Sequence, residues 1–226
     1  MAAQTRRAAS THPPPAGPDR LVAVIVVIFT VEAGELQVLL IKRSAEPYRD
    51  HWSLPGGRLA EAQTLLEAAT RRLEIETGVK DVFLEQLYTF SDLGESGSVA
   101  VAYWALVDRD SVRLARRKEW QPAWCRTAEL PELAFRNDRV IELSIARLRN
   151  KLAYSNVAYS LVPQQFTLSQ LQQAYEAILS QPLDKRNFRK RIISLGILNE
   201  TGRQASEGRH RPAKLYRFRE RRPVVF

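Results

Sequence analysis

The residues most suited to chemistry lie in the stretch LPGGRLAEAQTLLEAATRRLEIETGV at 54–79. A Gly-Gly turn there leads into a helix, which is predicted over 64–76 because Leu65, Ala69 and Leu73 recur at helical spacing. Side chains at i, i+3 and i+4 share one helical face, and Mg²⁺ prefers several carboxylate oxygens. The stretch is therefore a candidate site for metal-dependent cleavage of a diphosphate. Its carboxylates are Glu61, Glu67, Glu74 and Glu76.

The same stretch resembles the Nudix box, which runs Gly, five residues, Glu, seven residues, Arg-Glu, an aliphatic, any residue, Glu-Glu, any residue, Gly and an aliphatic. Gln63, Arg72 and Ile75 stand where the box has glutamates, so that Glu76 alone remains. The resemblance implies a Nudix fold, but a single carboxylate holds Mg²⁺ weakly. We expect no metal site, no catalytic residues and no required cofactor. The matching residues, with Gly57 in the first position, are Arg71, Leu73, Glu76, Gly78 and Val79.

Arg72 and Glu76 stand four residues apart and can pair, which would place a guanidinium where a Nudix hydrolase holds its metal. A planar cation at that place can bind a pyrophosphate. The alternative is that Arg72 is a solvated helix residue without a ligand. Other candidates for a nucleotide site are basic or aromatic, and each has an alternative as an ordinary surface or core residue. They are Arg43, Trp52, Arg58, Tyr88 and Phe90.

Strand and helix signals alternate around the box. Apolar runs at 21–30, 36–41, 82–90 and 99–107 predict strands. A helix is predicted over 137–152, with Asn137 or Asp138 as its cap. We therefore predict a mixed α/β sandwich over residues 20–152. The Pro- and Ala-rich residues 1–19 are predicted to form a disordered arm.

The net charge of +9 is concentrated near the C-terminus. Residues 151–226 hold 14 Lys and Arg against five acids, whereas residues 21–150 hold 17 against 19. A near-neutral body with a basic final third is typical of a ligand-binding domain joined to a nucleic-acid-binding one. A solvated basic tail is the alternative that charge alone leaves open.

The basic third has the pattern of a folded domain rather than a tail. A helix capped by Thr167 is predicted over 166–179, and after a turn at 180–182 comes a second helix, which ends at Gly196. Residues 197–201 and 214–218 predict a hairpin with a basic loop. This order predicts a winged helix-turn-helix over 153–226, whose second helix enters the major groove; a surface helix with scattered charge is the alternative.

The DNA contacts expected of such a domain fall into two groups. Residues on the second helix would read bases, and residues on the wing would contact phosphates or the minor groove. The helix group is Lys185, Arg186, Asn187, Arg189 and Lys190, and the wing group is Arg203, Arg209, His210, Arg211 and Lys214.

The single cysteine, Cys125, excludes an internal disulfide, and no apolar run reaches the roughly 18 residues of a membrane span. Residues 1–19 contain arginines and prolines but lack the apolar segment of a secretory signal. We therefore expect a cytoplasmic protein with no membrane partner.

Three further stretches, YSNVAYSLVPQQFTLSQLQQAYEAIL, LDKRNFRKRI and GRHRPAKLYRF, make the resemblance narrower. With the altered Nudix box before them, they resemble the Nudix-related transcriptional regulators of NAD metabolism over about residues 20–218. The resemblance implies an α+β protein in which a Nudix-like domain precedes a winged helix-turn-helix.

The function that this resemblance implies is that of a homodimeric repressor rather than an enzyme. Its partners would be a double-stranded DNA operator with an inverted repeat, upstream of NAD biosynthesis or salvage genes, and an effector, ADP-ribose or another NAD-related nucleotide. Relatives of this architecture also respond to other ligands, including sugars. The alternative function is a weak Nudix pyrophosphohydrolase that acts on ADP-ribose-like substrates.

Overall fold

The computed structural model describes residues 21–93, 98–115, 119–205 and 212–226. Residues 1–19, for which a disordered arm is predicted, lie outside these ranges. The N-terminal part contains the strands β1 (Val22–Glu32), β2 (Glu35–Arg43), β3 (Trp52–Ser53), β4 (Gly56–Arg58), β5 (Glu85–Phe90), β6 (Val99–Leu106) and β7 (Trp120–Arg126), and the helices α1 (Leu65–Thr77) and α2 (Asn137–Tyr154). The C-terminal part contains β8 (Phe166–Thr167), α3 (Leu168–Leu179), α4 (Lys185–Ser194), β9 (Leu198–Ala205) and β10 (Ala213–Phe218).

The strands β1 to β7 form one mixed sheet in the order β3-β2-β1-β6-β5, in which β4 also pairs with β1 and β7 with β2. The central strand β1 is parallel to β6 and antiparallel to β2 and β4. Alternate residues of β1 point to opposite faces: Val26 packs in one cluster with Leu73 of α1, and Val27 in another with Leu148 of α2. Burial on both faces explains why β1 is a continuous apolar run. The predicted α/β sandwich is confirmed.

Three strands of this sheet were not predicted. β3 and β4 have only two and three residues, too few to show an alternating pattern. β7, with the sequence WQPAWCR, contains Pro122 and therefore reads as a loop. It pairs with β2 alone, at the edge of the sheet, where a residue without a backbone N–H is tolerated.

The start of α2 differs from the prediction. Asn137 is the first helical residue and makes no capping bond; its side-chain oxygen instead accepts a hydrogen bond of 2.8 Å from the backbone N–H of Leu54. The capping position belongs to Arg136, with φ 53°, and Phe135 before it has φ 55°. The predicted cap is wrong because the side chain of Asn137 satisfies a buried loop and not its own helix.

The C-terminal part is a winged helix-turn-helix, as predicted. Thr167 caps α3 through a reciprocal pair of hydrogen bonds with Gln170, and Asp184 caps α4 by accepting from the backbone N–H of Asn187 at 2.8 Å. Phe188 and Ile192 bury the inner face of α4. The strands form a three-stranded sheet in the order β8-β10-β9, with the β9–β10 hairpin as the wing.

The two parts share one hydrophobic core. Leu171 of α3 and Phe166 of β8 belong to the same buried cluster as Phe29 and Leu40 of the large sheet. Arg149 of α2 also donates hydrogen bonds of 2.9 Å to the carbonyl oxygen of residue 178 and the hydroxyl of residue 180, at the end of α3. No helix in the described ranges is long and apolar enough to cross a membrane.

The residues after the wing return to the end of α2. Asn156, which is 2% exposed, donates from its side-chain nitrogen to the carbonyl oxygens of Glu220 and Arg222 at 3.1 and 3.0 Å. Its side-chain oxygen accepts from the backbone N–H of Val224 at 2.8 Å. The last residues of the C-terminal domain are therefore tied to the end of the helix that closes the N-terminal domain.

Replacing Asn156 by alanine should lower the free energy of unfolding by about 1–2 kcal/mol, because three hydrogen bonds of a buried side chain are lost while the exposed segment can still be hydrated. Urea unfolding of the full chain measures the change. Asn150→Ala, which removes an exposed amide from α2, is the matched control and should change stability little. Equal stability of the two variants would show that Asn156 does not hold this segment.

Candidate effector and DNA-binding sites

Glu76 lies on the buried side of α1, with none of its side chain exposed. One carboxylate oxygen, Oε2, accepts a hydrogen bond of 2.9 Å from the backbone N–H of Gly56. The other, Oε1, lies 3.6 Å from a guanidinium nitrogen of Arg72 and has no hydrogen-bond partner among the described residues. The predicted pair is present, but its acidic member is buried and not on an exposed helix surface.

Burial raises the pKa of Glu76 to about 7, because the charged form loses its hydration. The hydrogen bond from Gly56 and the cations Arg72 and Arg43 act in the opposite direction. The only glutamate that the box retains is therefore buried, and its pKa lies close to neutral pH.

The guanidinium of Arg72 lies directly against the Gly-Gly turn. A Cβ atom built on Gly57 would stand 2.8 Å from Arg72 Cζ, so a larger residue at this position would displace the end of the Arg72 side chain. The side chain of Arg72 remains 38% exposed. A cation that can reach a ligand therefore occupies the surface formed by the turn and α1.

Two other carboxylates of the stretch bond to neighbouring residues. Glu67 accepts two hydrogen bonds from Thr64, both 2.9 Å long, and so completes the cap of α1. Glu74 pairs with Lys80 at 2.6 Å. Within the described ranges, no three His, Cys, Asp or Glu side chains are grouped so that they could hold a metal ion. The residues at the box do not fit the Mg²⁺ that the Nudix fold implies, since a guanidinium borders the one remaining carboxylate.

An aromatic cluster lies at the end of β2. Arg43 stacks on the ring of Phe135 at 4.7 Å, and Tyr48 meets the same ring edge-on at 4.8 Å. Trp52 pairs through its backbone with Leu133, close to Phe135 in the chain. Burial lowers the pKa of Arg43, and the charges of Glu76 and Glu46 oppose this shift. Arg43 is therefore within electrostatic reach of Glu76.

Tyr48 and Phe135 were missed by the sequence analysis. Tyr48 lies in the stretch EPYRDHW just before Trp52, and a search for aromatic residues beside charged ones could have found it. Phe135 gave no signal, because it reaches the cluster through two successive left-handed residues before α2. Tyr48 is 46% exposed and so offers a ring to a ligand.

The remaining predicted effector residues do not join this cluster. Phe90 is 3% exposed and belongs to the core, so the alternative reading as a core residue applies to it. Tyr88 is exposed on β5, which is separated from β4 by β1 and β6. Three strand spacings of about 4.8 Å place Tyr88 roughly 14 Å from Gly56. Arg58 is exposed at the end of β4.

A cavity of about 680 Å³ lies elsewhere, between β6, the residues after α1 and the junction of the two domains. Trp104, Tyr159 and Arg221 are among the residues that line it. None of the effector residues predicted from the sequence does so. The cavity is thus separate from the surface formed by the Gly-Gly turn and Arg72 of α1.

The outer face of α4 carries four of the five DNA contacts predicted for this helix. Lys185, Arg186, Asn187 and Lys190 are exposed, as expected of side chains that face DNA. Arg189 is half-buried, and one of its guanidinium nitrogens donates to the hydroxyl of residue 169 on α3 at 3.3 Å. Arg189 therefore braces α4 against α3.

The wing is described in part. Arg203 on β9 and Lys214 on β10 are exposed, and Lys214 pairs with Glu200 at 2.9 Å. A phosphate would compete with Glu200 for this lysine. Arg209, His210 and Arg211 lie outside the described residues, so the contacts predicted for them stay predictions.

Comparison with known proteins agrees with this geometry. Residues 19–143 match the NUDIX domain family, and residues 158–218 match the NrtR DNA-binding winged helix domain. The molecule is thus a Nudix domain joined to a winged helix domain of the DNA-binding type.

The individual relatives share both parts. The ADPR responsive transcriptional repressor of Acinetobacter baylyi is 37% identical over 210 residues, which cover 89% of this chain and 83% of the relative. The crystal structure of Shewanella oneidensis NrtR complexed with a 27mer DNA is 32% identical, with a TM-score of 0.75 over 87% of this chain and 93% of that one. The NUDIX domain of the same protein, complexed with ADP ribose, is 30% identical, with a TM-score of 0.55 over 61% and 94%. The chain belongs to the NrtR family of Nudix-related transcriptional regulators.

Proposed function

We propose that this protein is a transcriptional repressor of NAD biosynthesis or salvage genes, and that its Nudix domain binds ADP-ribose or a related nucleotide as an effector. The observation that carries the proposal is the exposed cationic face of α4, on a winged helix that shares one core with a Nudix domain. The ADP-ribose and DNA complexes of the Shewanella relative support both parts.

The DNA-binding part of the proposal follows from the position of α4. Its inner face is held by Phe188 and Ile192, so that Arg186 and Lys190 point away from the domain. Arginine binds guanine edges in the major groove, while wing cations contact phosphates. A homodimer would present two such helices, and its operator would be an inverted repeat with half-site centres about 10 base pairs, or a multiple of this, apart.

The effector part rests on the turn and the aromatic cluster. The partly exposed guanidinium of Arg72 offers the planar, bidentate geometry that suits a pyrophosphate. Phe135 and Tyr48 offer two rings in edge-to-face contact beside the cation of Arg43, a surface that suits a nucleobase or ribose. A dinucleotide fragment such as ADP-ribose contains both groups.

Binding without hydrolysis follows from the same residues. Cleavage of a diphosphate by a Nudix hydrolase requires metal ions, and the buried Glu76 is bonded to a backbone N–H and bordered by Arg72. A regulator that does not cleave its effector also keeps the signal for as long as the nucleotide is bound. The alternative function, a weak pyrophosphohydrolase, requires metal donors that the box lacks.

Communication between the sites would run through α2. This helix begins two residues after Phe135 of the aromatic cluster and ends two residues before Asn156, which holds the segment after the wing. Arg149, in the second half of the helix, donates a hydrogen bond to the end of α3. A ligand that moves Phe135 would shift α2 and with it the winged helix. The ligand must bind the two positions of the helix unequally to change operator affinity.

ADP-ribose should bind the free and the operator-bound protein with affinities that differ by about 5- to 150-fold, the usual range for allosteric coupling. Calorimetric titration of the full chain, alone and with an operator duplex, measures both constants. By linkage, operator affinity must change by the same factor at saturating ADP-ribose. Equal affinities would contradict an effector role.

Two controls separate the alternatives in this experiment. Arg72→Ala should weaken ADP-ribose binding and leave operator affinity without ligand unchanged, whereas Arg71→Ala, an exposed neighbour, should change neither. A parallel assay with Mg²⁺ and ADP-ribose tests hydrolysis. Turnover at ordinary enzyme rates, about 1 s⁻¹ or faster, would establish the pyrophosphohydrolase instead.

A further inference from the structure

Ile193 is an aliphatic residue on the cationic face of α4, with 54% of its surface exposed. It follows Arg186 and Lys190 at i+7 and i+3, so the three side chains share one side of the helix. The opposite side is occupied by Phe188 and Ile192, which are 7% and 1% exposed. The domain's core is therefore complete without Ile193.

We propose that Ile193 contacts the C5-methyl group of a thymine in the major groove and so determines the base at one position of each half-site. The proposal rests on the proposed function. Thymine alone among the four bases presents a methyl group in the major groove, and an apolar side chain is its natural partner. Arg186 and Lys190 on the same face are attracted to the DNA phosphates and so hold this surface against DNA. A protein partner without strong negative charge would not match these two cations.

The position of this thymine follows from helix geometry. Seven residues at about 1.5 Å each separate Arg186 from Ile193 by roughly 10 Å along α4. Base pairs are stacked about 3.4 Å apart, so that this distance corresponds to about three base pairs when the helix lies along the groove. We expect the thymine about two to four base pairs from the base that Arg186 contacts.

Substitution of uracil for thymine tests the contact, because it removes the methyl group and leaves every hydrogen-bonding group in place. The probe is an operator duplex selected by the full chain from a random-sequence library, with each thymine of a half-site replaced in turn by deoxyuridine. One replacement should weaken binding of the wild-type protein about three- to fivefold, the effect of one buried methyl group. Replacement in both half-sites should weaken it about tenfold or more.

Ile193→Ala should lose a similar factor on the unmodified duplex and should no longer distinguish thymine from uracil at that position. Leu66→Ala removes an equally exposed aliphatic side chain, 49% exposed, from α1 and should keep the full sensitivity to uracil. If wild type and Ile193→Ala respond alike to every uracil, or if no uracil matters, the assignment of Ile193 is overturned. If the library yields no preferred duplex, the proposed function fails as well, and the two failures are thus distinguished.

Discussion

Replacing both Arg186 and Lys190 by alanine should weaken operator binding by about 2–6 kcal/mol, or at least about thirtyfold, since each base contact of this kind contributes about 1–3 kcal/mol. Both side chains are exposed on α4, and the inner face of the helix does not include them. The variant should therefore keep its fold and its affinity for ADP-ribose. Fluorescence anisotropy with a labelled operator duplex, at several salt concentrations, measures the loss.

Binding to operator and to random DNA, measured at each salt concentration, distinguishes the recognition of bases from simple attraction to the phosphates. The matched control is Arg113→Ala with Arg147→Ala, which removes the same charge from exposed positions away from α4. This control should lose little affinity and should retain the preference for operator over random DNA. The α4 variant should bind both DNA sequences alike. An α4 variant that is folded and retains the operator preference would show that a different element reads the bases.

Arg189 shows what the sequence could and could not predict about the side chains of α4. Its place among the basic residues of α4 could be predicted from the helical pattern, but its hydrogen bond to α3 could not. The buried stripe of Phe188 and Ile192 fixes which side faces inward, and Arg189 lies beside that stripe. The exact tilt of α4 against α3 decides whether such a flanking residue reaches DNA or its neighbouring helix.

Elements with strong local signals were predictable. β1 is apolar from Val22 to Phe29 because both of its faces are buried. Thr167 caps α3 because its hydroxyl accepts a hydrogen bond from a free backbone N–H of the first turn. The short strands β3 and β4 depend instead on pairing with β2 and β1. Such pairing brings together residues that are distant in sequence, so no local sequence pattern predicts it.

The site shows the same division. The pairing of Arg72 with Glu76 follows from their spacing, but the burial of Glu76 depends on the Gly-Gly turn, whose backbone N–H covers the carboxylate. Phe135 joins Arg43 only because residues 135 and 136 both adopt left-handed conformations. Non-glycine residues rarely do so, and composition gives no sign of it.

Glu76→Gln should make the protein more stable than the wild type at pH 8 by about 2–3 kcal/mol, with the advantage disappearing near pH 4.5. Burial raises the pKa of Glu76 from 4.5 to about 7 in the folded protein. Between these values the unfolded chain releases the proton while the folded protein retains it. The free energy of unfolding of the wild type therefore falls as pH rises through this window, by about 1.4 kcal/mol per unit at most.

Glutamine isolates this effect because it copies the neutral form of the side chain. Its amide oxygen can accept the hydrogen bond from the backbone N–H of Gly56, and the half-exposed Arg72 can be hydrated. Urea unfolding of both proteins at pH 4.5, 5.5, 6.5 and 8 gives the difference at each pH, in which all other titrating groups cancel. Glu61→Gln, at an exposed position before α1, serves as the control and should follow the wild type. A difference that stays constant from pH 4.5 to 8 would mean that Glu76 ionises in the folded protein as it does in the unfolded chain, and the carboxylate would then be open to water or to a cation.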